Sequence, residues 1–167
     1  IKLAPVARAL AARGLPFTLA ITGQHPQLDL AAYGLGRYPQ VRLDCPGRPD
    51  PFAHAAAVAD ALATHAAAAE LVMVQGDTSS ALGGAIAGFE TGTPVAHVEA
   101  GLRSHDKAMP WPEEDNRIAI DSGAALLFAA TDLSAANLRA EGVSGDIHIT
   151  GNTGIDALRE RLGRVPV

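Results

Sequence analysis

Cysteine occurs once in these 167 residues, at Cys45, so no disulfide can form within the chain. A single thiol fits a reducing compartment, the cytoplasm. No His or Asn pattern beside it marks a nucleophile, so it reads as an inert, semi-buried thiol. Basic charge is also scarce: 13 Lys and Arg stand against 18 Asp and Glu, a net charge of −5. Such a chain has no means of tracking a phosphate backbone, which excludes a nucleic-acid partner. No apolar run approaches the ~18 residues of a membrane span, and the opening residues do not read as a signal peptide. GxSxG, P-loop and GxGxxG motifs are missing, so acyl transfer, NTP hydrolysis and dinucleotide binding have no motif behind them. His54, His65, His105 and His148 show no metal-ligand spacing, which predicts neither a metal nor a cofactor.

What is present suffices for one domain with a substantial core, since 48% of the residues are hydrophobic. The chain opens on IKLAPVARALAA, where Ile1, Leu3, Val6 and Leu10 recur at helical spacing until Gly14 stops the helix. FTLAIT (17–22) reads as a strand, 27–35 weakly as a helix and 41–43 as a brief strand. Residues 52–70 are Ala-rich and predict a long helix. LVMV (71–74), PVAHV (94–98), ALLFAA (125–130) and DIHIT (146–150) read as strands, each followed by a helical segment. Pro112 marks the first turn of one such helix, with Glu113 and Glu114 behind it where the helix dipole favours acids. Thr131 caps the next, which Gly142 closes. Apolar strands alternating with helices predict a doubly wound, Rossmann-like parallel α/β sheet. A domain of that class normally opens on a strand, so the helical start predicts a preceding segment and a sheet unfilled at its middle.

Ligands of open α/β sheets bind beyond the carboxyl ends of the strands. That rule singles out Thr22 to His25, Gly76 to Thr78, Glu99 to Gly101, Thr131-Asp132 and Gly151 to Thr153. Asp77 and Glu99 close consecutive strand units and would share one crevice if those strands are neighbours. Two such carboxylates push each other's pKa values apart and can divide acid and base work. Plainer readings stand beside this one. Asp77 could cap the helix it precedes, with Thr78 as a rival; Glu99 could pair with Arg103; and Glu113 and Glu114 could pair with Arg117. His97, inside a strand, reads more readily as a hydrogen-bonded core histidine than as a catalyst, and Trp111 as a packing anchor.

The blocks QGDT, HVEAGLR and PWPEE-x-NR within 72–121, with TGNTGIDAL further on, resemble the bacterial non-hydrolysing UDP-N-acetylglucosamine 2-epimerases. Upstream, TGQH is similar to that family's QH loop, and IKLAPVARAL to the helix after its GTRPEA loop. The resemblance runs from Ile1 to about Leu158. Hydrolysing relatives differ at the second block, where they lack the AGLR continuation. Residues 26–50 are shorter and less regular than the family pattern. The resemblance implies half of a two-domain GT-B fold, with the first strand and the C-terminal UDP-binding domain outside this chain.

The implied reaction inverts C2 of the sugar without NAD, by eliminating UDP to a bound 2-acetamidoglucal and adding it back. Asp77, Glu99 and Glu113 match the family's acidic catalytic positions. Lys2, Gln24 and His25 match substrate-contacting positions, and Arg103 and Arg117 are candidate phosphate or carboxylate partners. Lys2 could equally be a frayed terminal residue. A UDP-sugar substrate, UDP-GlcNAc as an allosteric effector and a homodimer are the implied partners. A GT-B glycosyltransferase domain and a non-catalytic nucleotide-sugar-binding module are the competing readings.

Overall fold

The structure, a computed structural model, describes residues 2–163; Ile1, part of the opening helical rhythm, lies outside them. Six strands and six α-helices follow one another as α1 (Leu3–Ala12), β1 (Leu19–Ile21), β2 (Gln40–Arg42), α2 (Pro51–Ala67), β3 (Val72–Gln75), α3 (Ser79–Thr91), β4 (Val95–Ala100), α4 (Glu113–Gly123), β5 (Leu126–Ala129), α5 (Asp132–Ala140), β6 (Asp146–Ile149) and α6 (Thr153–Leu162). All strand pairs are parallel, in one sheet ordered β3-β4-β5-β6 and a separate pair β1-β2. This is the doubly wound α/β class expected from the alternation of elements. Helix α2 packs on α3 and α3 on α4, while α6 returns to α1.

Local chemistry sets the element ends. Asp50 accepts from the backbone N–H of Phe52 and Ala53 to start α2, with Pro51 at the first position. Thr78, Thr131 and Asn152 cap α3, α5 and α6 in the same way. The weak helix expected over 27–35 is instead a single 3₁₀ turn, Ala31–Tyr33. Asp29 takes the Ala31 N–H, and Gly34 turns left-handed immediately afterwards, so the segment is closed before an α-helical register forms. Leu30 and Leu35 are nevertheless buried, against Ala4 and Ala7 of α1.

The main core lies between β3–β5 and the helices that cover them, with Val74, Leu82, Val95, Ile120, Leu127 and Leu138 buried. Alanine and glycine, rather than large side chains, set the spacing of α2 and α3. A Cβ on Gly83 would lie 2.5 Å from the Ala55 carbonyl oxygen and 2.7 Å from Val58 Cβ. Gly83→Ala removes a helix-interior glycine, worth about 1 kcal/mol by propensity. The obstructing oxygen belongs to backbone and cannot rotate away, so overpacking of roughly 1–3 kcal/mol or more prevails. The variant should therefore unfold at lower urea concentration than the parent; an increased midpoint would show that α2 can shift at little cost.

Candidate active site

The loop after β3 is Gly76-Asp77-Thr78. Gly76 has φ +73°, a conformation that only glycine adopts without cost, and its N–H donates to the Val98 carbonyl at 3.0 Å. Thr78 Oγ1 accepts from the Ala81 N–H at 3.2 Å, so the threonine, not Asp77, is the cap of α3. The Asp77 carboxylate is left for Arg117, which also donates to Glu114 at 3.2 Å. Asn116 Nδ2 donates to the Asp77 carbonyl at 2.7 Å and fixes the same loop from α4.

Strand β4 lies beside β3, Gln75 opposite Val98, and is buried along its whole length. Its pairing with β5 shifts register between Val98 and Ala100, and Glu99 between them has φ +70°. A left-handed glutamate costs of order 1–2 kcal/mol, a strain characteristic of functional sites. The kink turns the Glu99 carboxylate into a cluster of donors. Lys2 Nζ lies 2.6 and 2.8 Å from its two oxygens, Asn152 Nδ2 donates at 3.0 Å, and Gln75 Nε2 donates as well. Lys2 is thus held at the start of α1 rather than frayed, and Glu99 pairs with Lys2, not with Arg103.

Arg103 faces elsewhere. Its guanidinium donates to Asp121 at 2.8 Å and to both oxygens of Glu141 at 2.7 and 2.6 Å, with its side chain only 1% exposed. Burial opposes its charge, but the bonds and attraction of Glu141 and Asp121 prevail and hold it above its ordinary pKa. Arg103, a candidate phosphate or carboxylate partner by sequence, pairs here with two carboxylates of the protein itself, and its Nη1 donates to the Leu102 carbonyl at 2.8 Å. Arg117 is partly exposed at 16% and bridges Asp77 and Glu114.

Helix α4 begins with three acids that have three different fates. Glu113 has one carboxylate oxygen, Oε2, buried without a hydrogen-bond partner among the described residues. Glu114 is buried and accepts from the backbone N–H groups of Ser104 and His105, both at 2.9 Å, and from Arg117. Asp115 forms an exposed pair with Lys107 at 3.0 Å. Burial raises the Glu114 pKa, but the donors from Ser104, His105 and Arg117 outweigh it and leave the carboxyl below its usual range.

At the β1 end, Ser80 Oγ donates to Gln24 Oε1 at 2.6 Å and lies 3.2 Å from His54 Nε2, so Gln24 is tied to the start of α3. His25 is exposed. His97 is the buried, hydrogen-bonded core histidine its position in a strand suggested. Cys45 is buried, which pushes its thiol pKa up; Arg48 partly offsets this and Asp44 adds to it. No three His, Cys, Asp or Glu among the described residues are grouped to hold a metal, and none of their helices is long and apolar enough to cross a membrane.

The structure thus gathers Asp77, Glu99, Lys2 and Arg117 at one edge, with Gln75, Asn116 and Asn152 as partners. Asn152 is legible from the strand-end rule, and Gln75 and Asn116 only as members of QGDT and PWPEE-x-NR; nothing in the spacing of the three amides announces their contacts. Glu114 and Asp121 carried no separate signal as loop anchors.

The family model described as UDP-N-acetylglucosamine 2-epimerase matches residues 8–166. The UDP-N-acetylglucosamine 2-epimerase of Escherichia coli K12 is 48% identical over 90 residues, 53% of this chain and 24% of that protein. That of Methanococcus maripaludis is 47% identical over 94 residues, 56% of this chain and 25% of that protein. Among solved structures, the Methanocaldococcus jannaschii UDP-GlcNAc 2-epimerase in complex with UDP-GlcNAc and UDP superposes with TM-score 0.89 at 33% identity, covering 97% of this chain and 46% of that chain. The Neisseria meningitidis enzyme bound to UDP-GlcNAc gives 0.87 at 31%, covering 98% and 46%. The match spans about a quarter of these curated relatives' length and under half of these solved chains.

Glu114 makes the site's stability depend on pH in a definite direction. Its folded pKa lies below the unfolded value of about 4.3, so its stabilisation is complete above that value and drains as pH falls through the folded one. Glu114→Gln should cost about 1.5–3 kcal/mol at pH 7, the worth of hydrogen bonds to a charged group. In urea melts from pH 7 to about 3.5, the gap between parent and variant should close below about pH 4.3. A gap independent of pH would mean that the carboxylate's charge is not what holds the loop.

Proposed function

The chain belongs to the UDP-N-acetylglucosamine 2-epimerase family, and we propose that the whole protein is a non-hydrolysing epimerase that interconverts UDP-GlcNAc and UDP-ManNAc. The observation that carries this is the placement of Asp77 and Glu99 at the ends of two directly paired parallel strands, with the N-terminus of α4 and its unpartnered Glu113 oxygen attached to the Asp77 loop through Asn116 and Arg117. The AGLR continuation after Glu99 favours the non-hydrolysing branch.

In the forward direction a carboxylate removes the C2 proton and the C1–O bond breaks, its electron pair leaving with UDP. The bound 2-acetamidoglucal is then protonated at C2 on the opposite face while UDP re-adds at C1. Asp77, Glu99 and Glu113 divide these proton transfers, the individual roles remaining open among them. Lys2 balances the Glu99 charge and, being 44% exposed on its side chain, is free to meet a substrate phosphate in this reading. Gln24, His25, Arg103 and Arg117 are its further substrate contacts. UDP-GlcNAc as effector, a homodimer, a cytoplasmic location and a place in cell-surface polysaccharide synthesis complete the proposal. The intact enzyme would be a two-domain GT-B protein. The chain covers under half of its solved relatives, so these 167 residues alone should not turn over a substrate held from both walls of a cleft.

In the full-length protein, Asp77→Asn, Glu99→Gln and Glu113→Gln should each lower turnover by about 10² or more, the usual worth of a positioned acid or base. Exchange of the sugar C2 proton in deuterated water reads the chemical step directly. Three amides with near-parental exchange would remove the carboxylates from the mechanism.

A further inference from the structure

Among the buried polar groups this chemistry leaves unused is His97, wholly buried in the middle of β4. Its Nδ1 lies 2.6 Å from Asp121 Oδ1, and its Nε2 lies 2.9 Å from the carbonyl oxygen of Gly76. A carbonyl oxygen can only accept. Asp121 Oδ2 takes the Gly101 N–H at 3.0 Å and Arg103 at 2.8 Å, so the carboxyl group stands against a guanidinium and presents Oδ1 to the ring as a second acceptor. A neutral imidazole has one N–H and could satisfy only one of these two acceptors. Only a ring bearing hydrogen on both nitrogens meets both.

The charged groups near the ring form one chain. Asp121 reaches it from α4, Arg103 lies beyond Asp121 on the loop after β4, and Glu141 at the end of α5 engages Arg103. Arg103 and Asp121 are buried, whereas Glu141 keeps 35% of its side chain exposed. From the loop after β3 the ring receives the Gly76 carbonyl.

We infer that His97 and Asp121 are a buried ion pair that positions the two acidic loops relative to each other. The His97 Nε2–H grips the carbonyl of the residue before Asp77. Asp121 Oδ2 grips the N–H of Gly101, two residues after Glu99. The span from one loop to the other is therefore three hydrogen bonds through two side chains. The charge state follows from this geometry alone; the positioning role rests on the reading of Asp77 and Glu99 as reacting groups.

Nitrogen NMR of the full-length protein labelled at histidine tests the pair without any substrate. At pH 7.5 both His97 ring nitrogens should show a directly bonded proton. Asp121→Asn keeps an oxygen for Gly101 and Arg103 and can donate its amide to Nδ1, so this variant should show hydrogen on Nε2 only. A wild-type ring with one unprotonated nitrogen would overturn the ion pair, whatever reaction the protein runs. Kinetics test the positioning. His97→Ala releases the Gly76 carbonyl and should lower kcat by about 10², the scale of a 1 Å misplacement, with KM nearly unchanged. His97→Gln, which keeps one amide donor, should recover part of that loss and carries the test if the alanine variant does not fold. A loss confined to KM, or no loss in either folded variant, would overturn the positioning role.

Discussion

Helix α4 turns a polar face inward, and the arrangement of the site depends on it. Glu114, Arg117 and Asp121 fall at i, i+3 and i+7, one stripe of the helix, with Asn116 beside them. Glu114, Asn116 and Asp121 are buried, with Ile120 as the apolar residue among them. A buried carboxylate without donors costs several kcal/mol, so each of these acids is tolerable only while its partners stay in place. The partners are the loops that carry the proposed chemistry: Ser104 and His105 on Glu114, Gly101 and Arg103 on Asp121, and the Asp77 loop on Asn116 and Arg117. Satisfying the helix and ordering the loops are one event.

The end of β4 is held differently. Glu99 is turned out of its strand by a left-handed backbone, and donors from three distant parts of the chain meet it: Lys2 before α1, Gln75 in β3 and Asn152 ahead of α6. A strained conformation persists only where its surroundings over-determine it, and these do. Asp77, by contrast, lies on a glycine turn and is restrained through Arg117 and its own carbonyl. Two carboxylates at neighbouring strand ends thus sit in unlike environments, the condition under which a pair of acids can take unlike roles.

Much of this was readable from residue order. Alternating apolar runs and helical segments imply the parallel α/β class, and the strand-end rule singles out Asp77, Glu99 and Asn152 from residue order alone. Thr78 was already visible as the rival cap, and the structure decides for it. Contacts that join residues far apart in sequence were not readable. Arg103, four residues from Glu99, reads by sequence as its partner or as a phosphate or carboxylate contact, because nothing local reveals Asp121 and Glu141 converging on it from α4 and α5. Glu114 looked like Glu113, since both are first-turn acids; only the fold of residues 101–105 over the helix separates them. The segment 27–35 misled for a local reason, an Asp29 side chain competing for the backbone N–H that a helix would use.

In the proposed reaction one sugar ring is reached by both strand-end carboxylates and by the first turn of α4. A crystal structure of the full-length protein with UDP-GlcNAc bound measures this directly. The sugar C1–C2 bond should lie over the edge of β3 and β4, with carboxyl oxygens of Asp77, Glu99 and Glu113 within hydrogen-bond reach of the ring or glycosidic oxygen, about 2.6–3.2 Å or through one water. A sugar lying elsewhere, with these carboxylates still closed on Lys2 and Arg117 and none facing the ring, would contradict it.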